Sequence, residues 1–159
     1  MTVEAVKILL RGTNDETETL WANPAEAPDT YTLDNVPWYA YGVSLGDVVE
    51  AHAGAGGMLE MSRVVRKSGN RTLRVILEVT APGAEWTPES RRLIAGIRER
   101  GAAIENMNKK LVAVTAPPVV DLFALATLID EAGFEFEYAD PTYDELFPDD
   151  GAPSDGART

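Results

Sequence analysis

Between Tyr31 and His52 the chain places Trp38, Tyr39 and Tyr41 beside Asp34, Asn35 and Asp47, and ends on its single histidine. Aromatic walls with polar ends suit a ligand pocket, with Tyr39 on the wall and Asp34, Asn35 and Asp47 orienting the ligand. A structural reading competes with this one. Aspartate and asparagine in turns bond nearby backbone amides, and aromatic side chains are mostly core material. Glu18, Asp34, Asp47 and His52 are also the residue types that acid-base catalysis or a hard metal ion requires. One histidine cannot supply a two-histidine, one-carboxylate set, and a chain without cysteine holds no thiolate site. We therefore expect no catalytic residues, no metal and no cofactor, and keep a small hydrolase using Asp34, Asp47 and His52 as a third reading.

A second candidate is the turn Ser68-Gly69-Asn70-Arg71, flanked by Arg66, Lys67 and Arg74. Ser68 and Asn70 turn amides aimed outward, with Arg74 adding charge, would bind a small anion. The competing reading is a tight hairpin that needs Gly and Asn for its backbone angles. The run HAGAGGM, with Gly54, Gly56 and Gly57, lacks the lysine and the following helix of a phosphate loop and reads as a hairpin tip.

The elements that position these residues follow from hydrophobic rhythm. Val6, Ile8 and Leu10 alternate as in a strand, and short strand-like pieces follow at 19–22, 31–33, 38–43, 48–53, 58–66 and 71–79. In the piece at 38–43, period two places Trp38 toward the core and Tyr39 outward. From residue 87 the rhythm becomes helical. Thr87 is an N-cap, Pro88 sits at the first helical position, Leu93, Ile94 and Ile97 form a stripe, and Gly101 is the stop. Asn108-Lys109 reads as a two-residue strand connection, Pro118 to Ala132 as a second helix ending at Gly133, and FEFEY as a half-buried strand. The expected fold is α+β, with an N-terminal small antiparallel β-sheet or partial barrel (1–68) packed on a C-terminal ferredoxin-like βαββαβ unit (69–147). Residues 148–159 are expected to form a disordered acidic tail.

Several segments look familiar in order: Glu18, Leu20-Trp21-Ala22, the run from Leu33 to Tyr39, Gly42-Val43, Gly46-Asp47-Val48-Val49, and Ser68-Gly69-Asn70 with Thr72 and Arg74. Over roughly residues 5 to 140 they resemble the bacterial domain-of-unknown-function family DUF4265. The resemblance implies a bacterial, cytosolic, stand-alone protein and brings no activity with it.

Charge restricts the partners. The net charge of −12 opposes binding to nucleic acid, and no window approaches the apolar length of a membrane helix. Residues 63–110 hold 11 basic and 5 acidic side chains, whereas 111–159 hold 1 and 11. From these features we expect a cytoplasmic, noncatalytic protein-binding or regulatory protein with a protein partner, such as an immunity- or antitoxin-type inhibitor that occludes a basic surface. The alternative is a small-molecule or anion-binding module. The sequence leaves the oligomeric state open.

Overall fold

In the computed structural model, residues 4–12, 14–80 and 85–150 are described, and the chain divides into two compact units, 1–70 and 71–159. Most of the expected tail, 151–159, lies outside the described residues; Pro148–Asp150 form a 3-10 turn.

In the first unit, alternation along β1 (Val6–Arg11) turns Ile8 and Leu10 inward, both at most 1% exposed, while Lys7 and Arg11 face out. The same rhythm in β2 (Thr17–Pro24) buries Leu20 and Ala22. β3 (Thr30–Leu33), β4 (Val48–Ala53) and β5 (Leu59–Arg66) continue an antiparallel series. The series then closes on itself, because β5 pairs in parallel with β1 at Ile8↔Leu59 and Leu9↔Glu60. The N-terminal sheet is thus a closed five-stranded barrel rather than a partial one. Register shifts at Val48/Val49 and Glu50/Ala51 lie in the β4–β5 pair, and such bulges bend strands as closure requires. The HAGAGGM segment is the β4–β5 connection, a 3-10 turn at Ala55–Gly57.

No strand forms at 38–43, where the sequence suggests one. The amides of Trp38, Tyr39 and Ala40 are spent on a side chain, described below, and cannot enter a ladder. Trp38 is accordingly half-buried rather than core, and Tyr39 is 38% exposed.

In the second unit, β6 (Arg71–Ile76), α1 (Pro88–Glu99), β7 (Ala103–Asn106), β8 (Leu111–Ala116), α2 (Leu122–Glu131) and β9 (Glu135–Asp140) build a four-stranded sheet of order β7-β8-β6-β9, antiparallel throughout. Leu73, Val75, Val112 and Val114 on one face meet Leu93, Ile94 and Ile97 of α1 and Leu125 and Ile129 of α2. Thr87 caps α1 by accepting from the Ser90 amide, and Gly101 leaves it at φ 93°. α2 starts at Leu122, not Pro118. The Asp121 carboxylate accepts from the Phe123 and Ala124 amides, and the Arg71 guanidinium holds the preceding loop through the carbonyls of Ala116, Pro117 and Val120. The β7–β8 connection spans 107–110 rather than two residues, with Lys109 at φ 69°. The Ser68–Asn70 turn is not a hairpin, because β5 and β6 belong to different sheets.

A short helical turn, α3 (Tyr143–Leu146), carries a capping box in which Thr142 and Glu145 exchange bonds. Beyond it Phe147 meets Tyr143, Tyr138 and Phe123 at ring-centroid distances of 4.8, 5.9 and 5.7 Å. Burial, and secondarily the Asp130 charge, pushes the Tyr138 phenol above its usual value. The fold then retains a proton that the unfolded chain releases, so this stabilisation is complete below the unfolded value of about 10 and is lost as pH rises through the folded one. Denaturant midpoints measured against pH should therefore fall less steeply in alkali for Tyr138→Phe than for wild type. Identical slopes would assign the alkaline loss to other groups.

Candidate functional site

The loop from Asp34 to Asp47 leaves β3 and returns to β4, and three side chains fix its path. Glu18, on β2, is the first. Its Oε1 accepts from the Trp38 amide at 2.7 Å, and its Oε2 accepts from the amides of Tyr39 and Ala40, each at 2.9 Å. Three successive N–H groups around one carboxylate form an anion nest, here filled by the protein itself. Asn35 is the second, its Oδ1 accepting from the Trp21 amide at 2.8 Å while the Asp34 amide donates to the Trp21 carbonyl.

Asp47 is the third, and it is fully buried. Its carboxylate accepts from the Ser44 amide at 2.9 Å, the Ser68 amide at 2.8 Å and Lys67 Nζ at 2.6 Å. Lys67 Nζ also donates to the Gly42 carbonyl. The 68–70 turn completes the clasp, since Ser68 Oγ and Asn70 Nδ2 both donate to the Leu45 carbonyl at 2.8 Å. Gly46 sits beneath it at φ 84°, where a Cβ would stand 3.2 Å from that of Ser68, so both conformation and space require glycine.

Of the residues singled out in the sequence, Asn35, Asp47, Ser68 and Asn70 thus come together in the first unit as the internal bracing of one loop. The Ser68 and Asn70 amides point inward, to Asp47 and to Ser68 Oγ. Arg74 belongs to β6 in the second unit; it is 2% exposed, and its Nε donates to Glu137 Oε2 at 2.7 Å. Asp34 and Tyr39 remain at the surface. The sequence marks Glu18 only as a titratable group. Its work as the loop's anchor rests on 20 to 22 residues of chain separation and has no local signal.

His52 lies at the other end of β4 from Asp47, five residues or roughly 17 Å along an extended strand. Its Nδ1 is 3.8 Å from Asp29 and its Nε2 is 3.7 Å from Glu50. Ser62 Oγ donates to Glu50, and this bond is the leading cause of a lowered Glu50 pKa, with the Arg63 and His52 charges adding to it. The hydroxyl is engaged with a carboxylate rather than with the imidazole, so the geometry of an activated nucleophile is not set up. Among the described residues no group of three or more His, Cys, Asp or Glu is placed to hold a metal ion, and no helix is long and apolar enough to cross a membrane.

The braced loop exposes Asp34, Tyr39 at 38% and Tyr41 at 44%, beside Trp21, whose backbone is bonded to Asp34 and Asn35 and whose own exposure is 46%. Lys7 Nζ lies 5.1 Å from the Trp21 ring centroid, so that ring already receives a cation. In the second unit a shallow groove of about 250 Å³ runs between α1 and α2, floored by Leu93, Leu128 and Phe134 with Glu89 and Arg92 among its lining residues.

No curated protein matches the chain. The crystal structure of a hypothetical protein from Neisseria gonorrhoeae is similar to it with a TM-score of 0.65, covering 90% of this chain and 98% of that one. At 18% identity the likeness carries the fold alone. The sequence profile of the domain of unknown function DUF4265 matches residues 18–136, and the chain belongs to that family.

Proposed function

We propose that the protein is a noncatalytic protein-binding or regulatory module, which engages a basic partner through the loop at 34–43 in the manner of an immunity protein or antitoxin. One observation carries this reading: backbone and side-chain groups of the loop are bonded inward, to Glu18, the Trp21 backbone and Asp47, while Tyr39, Tyr41 and Trp21 stand exposed around it. Preorganised aromatic side chains on a fixed loop are what protein interfaces use as anchors, because they lose little conformational entropy on binding. Exposed Asp34 supplies an anion, and the rings of Tyr39 and Tyr41 supply π-surface, for a partner's Arg or Lys. We read the second unit, with its βαββαβ order and β7-β8-β6-β9 sheet, as ferredoxin-like, an architecture that hosts binding and regulation on many chemistries. A cysteine-free acidic chain suits action in the cytoplasm.

The test is affinity capture from the source organism, comparing wild type with Tyr39→Ala/Tyr41→Ala by quantitative mass spectrometry. A melting curve of the double variant is recorded alongside, so that weakened capture is assigned to the interface only where the fold is retained. The double variant should lose about 2 kcal/mol of affinity for the captured partner, roughly thirtyfold. Binding should also weaken as salt rises above ~0.1 M, where opposing surface charges are screened over about 10 Å. Unchanged capture by the variant would remove the loop from the interface.

A further inference from the structure

The second unit carries a cationic surface that the proposed reading leaves unused. Between Glu85 and Lys110 six Arg or Lys residues stand against four Glu, in a chain whose net charge is −12. Two of these cations, Arg91 and Lys109, meet Trp86, which is half-buried. Arg91 Nη1 donates to the Trp86 carbonyl at 2.8 Å, the indole Nε1 donates to the Lys109 carbonyl, and Lys109 Nζ lies 5.8 Å from the Trp86 ring centroid.

The loop that carries Lys109 is fixed by two asparagines. Asn106 Oδ1 accepts from the Lys109 amide, and Asn108 Oδ1 accepts from the amides of Lys110 and Leu111. Between them Lys109 is held at φ 69°, in the left-handed region that favours glycine or asparagine. Arg98 extends the surface: it lies two turns after Arg91 on the same exposed side of α1, about 10 Å further along the axis.

We infer that Trp86, Arg91, Arg98, Lys109 and Lys110 form a docking surface for an acidic peptide segment of a protein partner. A span of about 10 Å between the Arg91 and Arg98 positions is too long for one phosphate or carboxylate and matches three to four residues of extended chain at ~3.3 Å each. Trp and Arg supply the side-chain types that dominate interface energetics, and charge complementarity selects a run of Asp or Glu. An oligonucleotide is a polyanion too, and the comparison of probes below separates it from the acidic peptide.

The experiment uses the full chain and three fluorescein-labelled probes at low salt: decaglutamate, decaglutamine and an oligothymidylate of equal length. Fluorescence anisotropy should show saturable binding of decaglutamate that weakens with added salt, and none of decaglutamine. Lys109→Gly/Arg98→Gln should weaken decaglutamate binding about tenfold. Glycine suits the backbone at 109, and a melting curve of the variant, with Arg98→Gln alone as a second variant expected to weaken binding severalfold, separates lost binding from lost folding. Equal binding by wild type and variant, absence of decaglutamate binding, or tighter binding of the oligothymidylate would each overturn the assignment. None of these outcomes touches Tyr39 or Tyr41, so the proposed role of the first unit stands or falls separately.

Discussion

Glu18→Ala should destabilise the first unit by about 3 kcal/mol, since it leaves the amides of Trp38, Tyr39 and Ala40 without their acceptor. Water reaches part of this half-buried site and replaces some of the loss, which keeps the figure below the sum of three charge-assisted bonds. Glu18→Gln keeps a carbonyl oxygen in place and should fall between wild type and alanine. Urea denaturation of the three proteins, followed by Trp fluorescence, checks the order. If alanine and glutamine variants lose equally little, the loop is held by its other contacts and Glu18 is incidental to it.

Asp47→Ala should cost at least as much, about 3 to 4 kcal/mol, because the carboxylate is fully buried and braces three donors. The donors do not contribute equally. Lys67 is 45% exposed along its side chain and can return its ammonium to water, so the pair with it adds little. The Ser44 and Ser68 amides belong to the tight clasp itself and carry most of the effect. A double-mutant cycle with Lys67→Met separates the two contributions. The coupling between Asp47 and Lys67 should be under about 1 kcal/mol. A coupling near the whole Asp47 loss would place the energy in the ion pair instead.

These two carboxylates also show what the sequence could and could not reveal. Local chemistry was legible wherever a signal and its partner lie within a few residues. Thr87-Pro88 begins α1 and Gly101 and Gly133 end the helices, because capping and left-handed stops act over one turn. The alternation of FEFEY likewise reports its two faces directly, with Tyr138 buried and Glu135 exposed. The segment at 38–43 misled for the opposite reason. Its aromatics favour a strand, but an acceptor about 20 residues upstream takes the amides that a ladder would need. Barrel closure was hidden in the same way, since β1 and β5 meet across about 50 residues and no periodicity encodes a parallel partner at that distance.

The candidate site follows this division. Asp34, Asn35, Asp47, Ser68 and Asn70 were conspicuous by residue type, and type is common to ligand-binding and turn-bracing roles. Only the bonding pattern separates the two, and for Asn35, Asp47, Ser68 and Asn70 the bonds to backbone and neighbouring side chains run within the protein. The aromatic residues then change meaning. In the proposed reading Tyr39 and Tyr41 serve as the outward surface of a braced loop rather than as pocket walls.

The most direct measurement is backbone hydrogen exchange of the protein with and without its captured partner. The account predicts that the amides of Trp38, Tyr39 and Ala40 are slow already in the free protein, because Glu18 holds them, and that new protection on binding centres on residues 41–43 and the neighbouring Trp21 strand. Protection that leaves 34–43 unchanged and falls instead on the groove between α1 and α2 would contradict it.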